Sequence, residues 1–264
     1  MCGQSKFLAN SHFMPAFLYP YCRTGDLRPV KFFDGTLLPT DRQTQAPLLC
    51  EDCEHVLSDG GEAWIANKLA TWERTFPLSD LLTSCRQDIQ EEGLTVYFTN
   101  KNPEVRADKL LHFGMGMFWK AGVHSWRRNS TEPWIELGPY ADMIRAWLRG
   151  EATFPDHVYL TANVFRPERA QIALIDPYEA KRKTWRSFFF HVPGLLFMLC
   201  IGKTVDPSLK WLSIHNPEKP ICISDDLAEH FINQTAIEVR SSRLTEAYMK
   251  HHERVSRVRG SSAS

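Results

Sequence analysis

From residue 157 onward the chain breaks into short apolar runs, and no other feature limits the fold as strongly. "VYLTANVF", "AQIALI", "SFFFHV", "LLFMLCI", "WLSI" and "ICI" follow one another within 157–223, separated by Pro, Gly and charged residues. Runs this short, rich in β-branched and aromatic residues, suit strands better than helices. They predict an antiparallel sheet of about five or six strands over 157–223. The longest apolar stretch, 188–201, is fourteen residues long and holds Pro193-Gly194 at its middle. A membrane-spanning helix needs about 20 apolar residues, so a buried hairpin is expected here and no membrane span. Pro193 sets φ for the first central turn position and Gly194 accepts the positive φ of the second, as a type II turn requires.

Helical spacing dominates the middle of the chain, about 66–152. In "EAWIANKLATWERTF" (62–76), Trp64, Ile65, Leu69 and Trp72 recur at helical steps, and Pro77 ends the pattern. A second helix is expected over about 104–127, with Leu111, Met115, Phe118, Gly122 and Trp126 on one stripe. Its glycines cost helix stability, up to about 1 kcal/mol each against Ala, and make sense where another element packs closely. "GPYADMIRAWLRG" (138–150) predicts a third helix, with Pro139 in the first turn, Ala141, Ile144 and Leu148 facing inward, and Gly150 as the C-terminal stop. After the sheet, Ser224 suits an N-cap and Asp225-Asp226 the positive end of a C-terminal helix over 225–255, ahead of a disordered "GSSAS" tail.

The first 65 residues are different: rich in Cys, Pro and aromatics, with little helical period. They predict a small loop-rich head packed on an α+β body (66–264). Net charge is zero, which excludes a nucleic-acid binder recognisable by overall charge alone but leaves local basic faces open. Three segments qualify: "WRR" (126–128), "KRKTWR" (181–186) and the basic tail from 240. Each reads either as a solvated edge or as a phosphate-contacting surface. Seven cysteines, an odd count, without a leader-like start point to a reducing, cytoplasmic setting. "GMGM" (114–117) lacks the preceding strand and third glycine of a dinucleotide loop, so no dinucleotide cofactor is expected.

The chemistry-bearing feature is Cys50-x-x-Cys53 within "LLCEDCEH". A two-residue gap lets both thiolates reach one tetrahedral ion, and the βαβ context of a redox pair is missing around it. Cys85, Cys200 and Cys222 sit in apolar or mixed surroundings and read as small core residues.

Taken together, "CGQSKFLANSHFMP" (2–15) and "LLCEDCE" (48–54) resemble the HNH endonuclease, or treble-clef ββα-metal, pattern. The resemblance covers about residues 1–65. It rests on a histidine followed by two apolar residues and proline, and on Leu-Leu-Cys-x-x-Cys opening a helix. "LGPYADMIR" is similar to a block in uncharacterised bacterial proteins with such a head. The resemblance implies Cys2, Cys50 and Cys53 as structural Zn²⁺ ligands, and His12 as a general base that activates water against a phosphodiester. It also implies a catalytic Mg²⁺ or Mn²⁺ held beside that histidine, and DNA or RNA as partner. An imidazole, with an ordinary pKa near 6.5, suits the base role.

This chain departs from the pattern at several positions. Ser11 stands where active members carry Asp, Gln45 where they carry Asn, and Glu54 where they carry His, with His55 one place on. The first knuckle has one cysteine. The helix-side metal ligand falls to Glu54, His55 or Glu62, with Gly60-Gly61 placed to break the helix between them. The fourth zinc ligand is Cys22, His12 or a residue upstream of Met1. Three functions remain open: an HNH-like metal-dependent endonuclease, a zinc-containing nucleic-acid- or protein-binding module without catalysis, and a scaffold whose activity lies in the body.

Overall fold

The computed structural model describes residues 1–22, 30–33, 36–39, 42–69, 71, 73, 75–126, 130–168, 175–181 and 184–230, with isolated positions beyond. The fold is α+β, as expected. Strands β1 (Ala9–His12), β2 (Val30–Phe33), β3 (Thr36–Pro39) and β4 (Gln45–Leu49) open the chain. Helices α1 (Glu51–Leu57) and α2 (Ala63–Ala66) follow, joined without a break by a π-helical turn, Ser58–Glu62. Next come α3 (Pro77–Thr83), β5 (Ile89–Glu91), β6 (Leu94–Phe98), α4 (Ala107–Val123) and α5 (Tyr140–Leu148). The body then runs through β7 (Val158–Val164), β8 (Ile175–Lys181), β9 (Arg186–Val192), β10 (Leu195–Ile201), α6 (Pro207–Trp211) and β11 (Pro220–Ser224). A short β12 (Arg243–Leu244) lies parallel to β3.

The large sheet has seven strands in the order β5-β6-β11-β7-β10-β9-β8. It corrects the sequence expectation in three ways. The sheet is mixed, because β11 lies parallel to β7 while its other pairings are antiparallel. It recruits β5 and β6 from the stretch read as helical. "WLSI" is no strand, since Trp211 ends α6 and the chain then turns. The β9–β10 hairpin forms where expected, and Gly194 carries φ +73° at its turn. The helical spacing of 62–76 yields a shorter helix than it predicts: α2 stops at Ala66 with Asn67 as its cap. At the far end, Ser224 Oγ accepts the Leu227 N–H at 3.1 Å, and residues 225–230 are helical. The remainder of the expected C-terminal helix and the tail lie largely outside the described residues.

Helix α4 is the centre of the molecule. All residues from Leu110 to Ala121 except His112 are buried, around its whole circumference. A helix that is apolar on all sides belongs inside a core. One face lies on the large sheet, where a Cβ on Gly114 would meet Leu160 and the Phe197 ring at 2.8 and 2.9 Å. Another face receives the π-turn and α2, so the head and the sheet share one hydrophobic core. Among the described residues, no helix is long and apolar enough to cross a membrane.

Candidate metal centre and adjoining cleft

The head brings its motif residues together through one small sheet. β1 and β4 pair antiparallel, with His12 opposite Gln45. The apolar pair after His12 anchors the strand end: Phe13 is fully buried, edge-on to Trp134 and Trp126, and Met14 is buried beside it. Leu49 is fully buried at the end of β4 and leads directly into Cys50, the N-cap of α1. The cysteines therefore sit at the start of a helix, where the macrodipole favours negative charge.

Cys2, Cys50 and Cys53 converge as the sequence predicts, their sulfurs all within 4.8 Å of one another. The Cys2–Cys50 and Cys50–Cys53 separations are 3.8 and 3.5 Å. Four thiolates around zinc at about 2.3 Å stand about 3.8 Å apart, so the donor set fits a tetrahedral ion. A backbone hydrogen bond from Gln4 brings the Cys2 thiol down to about 7, while burial pushes Cys53 up to about 11. Cation binding requires the thiolate forms and draws off those protons. Cys22 ends a 3₁₀ turn, Ala16–Cys22, and its side chain lies outside the described residues. His12 is not in the cysteine group, and its Nε2 is engaged by Gln45.

His12 faces a separate cleft of about 290 Å³ lined by Pro15, Phe17, Glu54, Ser58 and Glu62, among others. Glu54, Ser58 and Glu62 share one face because the π-turn keeps the helix running through Gly60-Gly61, where sequence reasoning expected a break. A side chain on either glycine would collide: with the His112 ring at 2.0 Å for Gly60, and with the Lys109 carbonyl at 2.4 Å for Gly61. π-Turns of this kind recur at functional sites.

Gln45, Ser11, Glu54 and His55, the positions that depart from the HNH pattern, have separate surroundings. Gln45 accepts a hydrogen bond from Asn10 Nδ2 on Oε1 and offers its amide nitrogen to His12 Nε2. Ser11 points the opposite way along β1, is buried, and accepts the Leu49 N–H at 3.0 Å, so it supplies nothing to the cleft. His55 is exposed and lies beside Glu51, outside the cleft. Glu54 Oε1 is buried without a hydrogen-bond partner. Glu62 Oε1 accepts from Lys120 Nζ at 3.0 Å.

No family model matches the chain, and neither the curated proteins nor the solved structures contain a match. The site is therefore read from its own geometry. Sequence reasoning missed Ser58, Lys120 and Arg149. Lys120 reaches His12 across 108 residues and Arg149 reaches Cys53 across 96, separations that carry no local signal. The basic-aromatic surfaces fare differently. Arg127 and Arg128 lie outside the described residues, as do Arg182 and Lys183. Arg186 makes a bidentate pair with Glu179 and lies over the Phe188 ring, which is a structural use.

Proposed function

We propose that this chain is an HNH-like metal-dependent endonuclease that hydrolyses phosphodiester bonds. The observation carrying this reading is that His12, Glu54 and Glu62 line one cleft at the edge of the cysteine-bearing helix. The order of two antiparallel strands and then a helix opened by cysteines supports a treble-clef head. Cys2, Cys50 and Cys53 hold a structural Zn²⁺ in this account. His12 is the general base, with Gln45 holding its ring from the Nε2 side. Glu54, whose Oε1 has no hydrogen-bond partner, is the ligand for Mg²⁺ or Mn²⁺, and Glu62 flanks it. The divalent ion would stabilise charge on the leaving oxygen.

Plasmid nicking in Mg²⁺ or Mn²⁺ tests the reading. Wild type should nick, and His12→Ala should lose about 10²–10⁴-fold, the usual contribution of a positioned base. Absence of nicking by wild type, or equal nicking by both proteins, overturns it.

One observation favours a second reading, a zinc-containing nucleic-acid-binding module without catalysis. Lys120 already compensates Glu62, and among the described residues the other carboxylate in the cleft, Glu54, has no cationic partner. That reading expects DNA or RNA binding that weakens steeply with salt and no strand cleavage.

A further inference from the structure

A zinc ion held by three thiolates leaves the group with a net charge of about −1, and a fourth anionic ligand makes it more negative. Cys50 and Cys53 are 5% and 1% exposed, so this charge sits where water compensates it poorly. The start of α1 does not remove the problem. Its first turn carries Glu51, Asp52 and Glu54, and the Cys53 and Glu54 amides both donate to the Cys50 carbonyl instead of to sulfur. Lys6 lies nearby, but its ammonium donates to Asp52 rather than to sulfur.

Among the described residues, the cation that reaches sulfur comes from the body. Arg149 Nη1 is 3.8 Å from Cys53 Sγ, within hydrogen-bonding range for a sulfur acceptor. Its position is fixed twice over. Its Nε donates to Glu151 Oε1, and its backbone caps α5, where Gly150 turns the chain at φ +71° and Glu151 N–H returns to the Ala146 carbonyl. One helical turn earlier, on the same face, Arg145 Nη1 donates to the Met1 carbonyl at 3.2 Å, next to Cys2. The end of α5 thus reaches Cys53 directly and, through Arg145, the residue that precedes Cys2.

We propose that Arg149 is a positioning residue for the metal centre: its guanidinium hydrogen-bonds the Cys53 thiolate, offsets the charge of the thiolate group and sets the metal affinity of the head from the body. This rests on the reading that Cys2, Cys50 and Cys53 hold a metal. It does not depend on whether the cleft cleaves a phosphodiester.

The test is metal affinity of the full chain, by competition of Zn²⁺ against a chelator, together with the absorption spectrum of the Co²⁺-substituted protein. Arg149→Met should bind Zn²⁺ about 10- to 100-fold more weakly, as loss of an outer hydrogen bond to a metal ligand commonly does. Its thiolate-to-cobalt absorption should move to lower energy, because the sulfur lone pairs are no longer stabilised by the donor. Arg149→Lys keeps the charge without the fork and should fall between the two. The cobalt band shift reports on sulfur itself, so Arg149→Lys carries the test if Arg149→Met fails to fold. Wild type that binds Zn²⁺ tightly, with variants of equal affinity and unchanged cobalt spectra, overturns the role of Arg149 alone. Wild type that binds neither ion overturns the metal reading and the proposal with it.

Discussion

The Lys120 ammonium lies 3.0 Å from Glu62 Oε1 and 3.3 Å from the His12 carbonyl, on a side chain only 3% exposed. One residue of the central helix therefore ties the end of β1 to the π-turn across the candidate cleft. Removing one partner of a buried pair leaves the other uncompensated, which typically costs about 3–5 kcal/mol; the 20% exposure of Glu62 places this pair at the lower end. Lys120→Met should lose about 3 kcal/mol in chemical denaturation. The double variant Lys120→Met/Glu62→Leu should recover much of that loss.

Glu54 should show the opposite separation. A buried carboxylate oxygen without a partner is a cost to the fold that a metal ligand tolerates. Glu54→Gln should leave stability within about 1 kcal/mol of wild type while weakening Mn²⁺ binding at the cleft and reducing nicking. Equal Mn²⁺ affinity in the two proteins would remove Glu54 from the site.

The π-turn is the most exacting packing contact in the head. A methyl group on Gly61 would stand 2.4 Å from the Lys109 carbonyl and 2.7 Å from the Phe113 nitrogen, both backbone atoms that cannot swing away. Gly61→Ala should cost about 1–3 kcal/mol, the range for overpacking. It should also disturb Glu62, the next residue. Urea denaturation measures the first effect, and Mn²⁺ affinity at the cleft reads the second.

His112 makes stability depend on pH. Burial holds its pKa below the ordinary histidine value, with Lys109 adding to the shift and a hydrogen bond to the Leu148 carbonyl and the Glu62 charge opposing it. The folded state therefore binds this proton less readily than the unfolded chain does. Its contribution is fully present above the unfolded pKa of about 6.5 and is lost as pH falls through and below it. Thermal midpoints should drop between about pH 7 and 5, and His112→Gln should flatten that part of the profile.

Cys2 and His12 are implied only by the resemblance of the head, and the structure brings Cys2 to the other two cysteines and pairs the strand that carries His12 with the one that leads into them. The Cys50–Cys53 gap is legible as local spacing. Helices α4 and α5 and the Pro193-Gly194 hairpin were legible for the same reason. Leu94–Phe98 carried a strand signal, "LTVYF" after Gly93, that helical residues on either side obscured. The parallel pairing of β11 with β7 had no such signal, since it depends on a crossover rather than on neighbouring residues. Gly60-Gly61 was misread because propensity penalises glycine in a helix, whereas here the missing side chains let the helix press against α4. Lys120 and Arg149 act through tertiary packing alone.

The metal content of the purified full chain tests the account most directly. Elemental analysis should find about one zinc per chain, the stoichiometry of a single structural site. The metal should be lost in Cys50→Ser and Cys53→Ser. A folded wild-type chain that carries no zinc and takes up neither Zn²⁺ nor Co²⁺ would contradict the account.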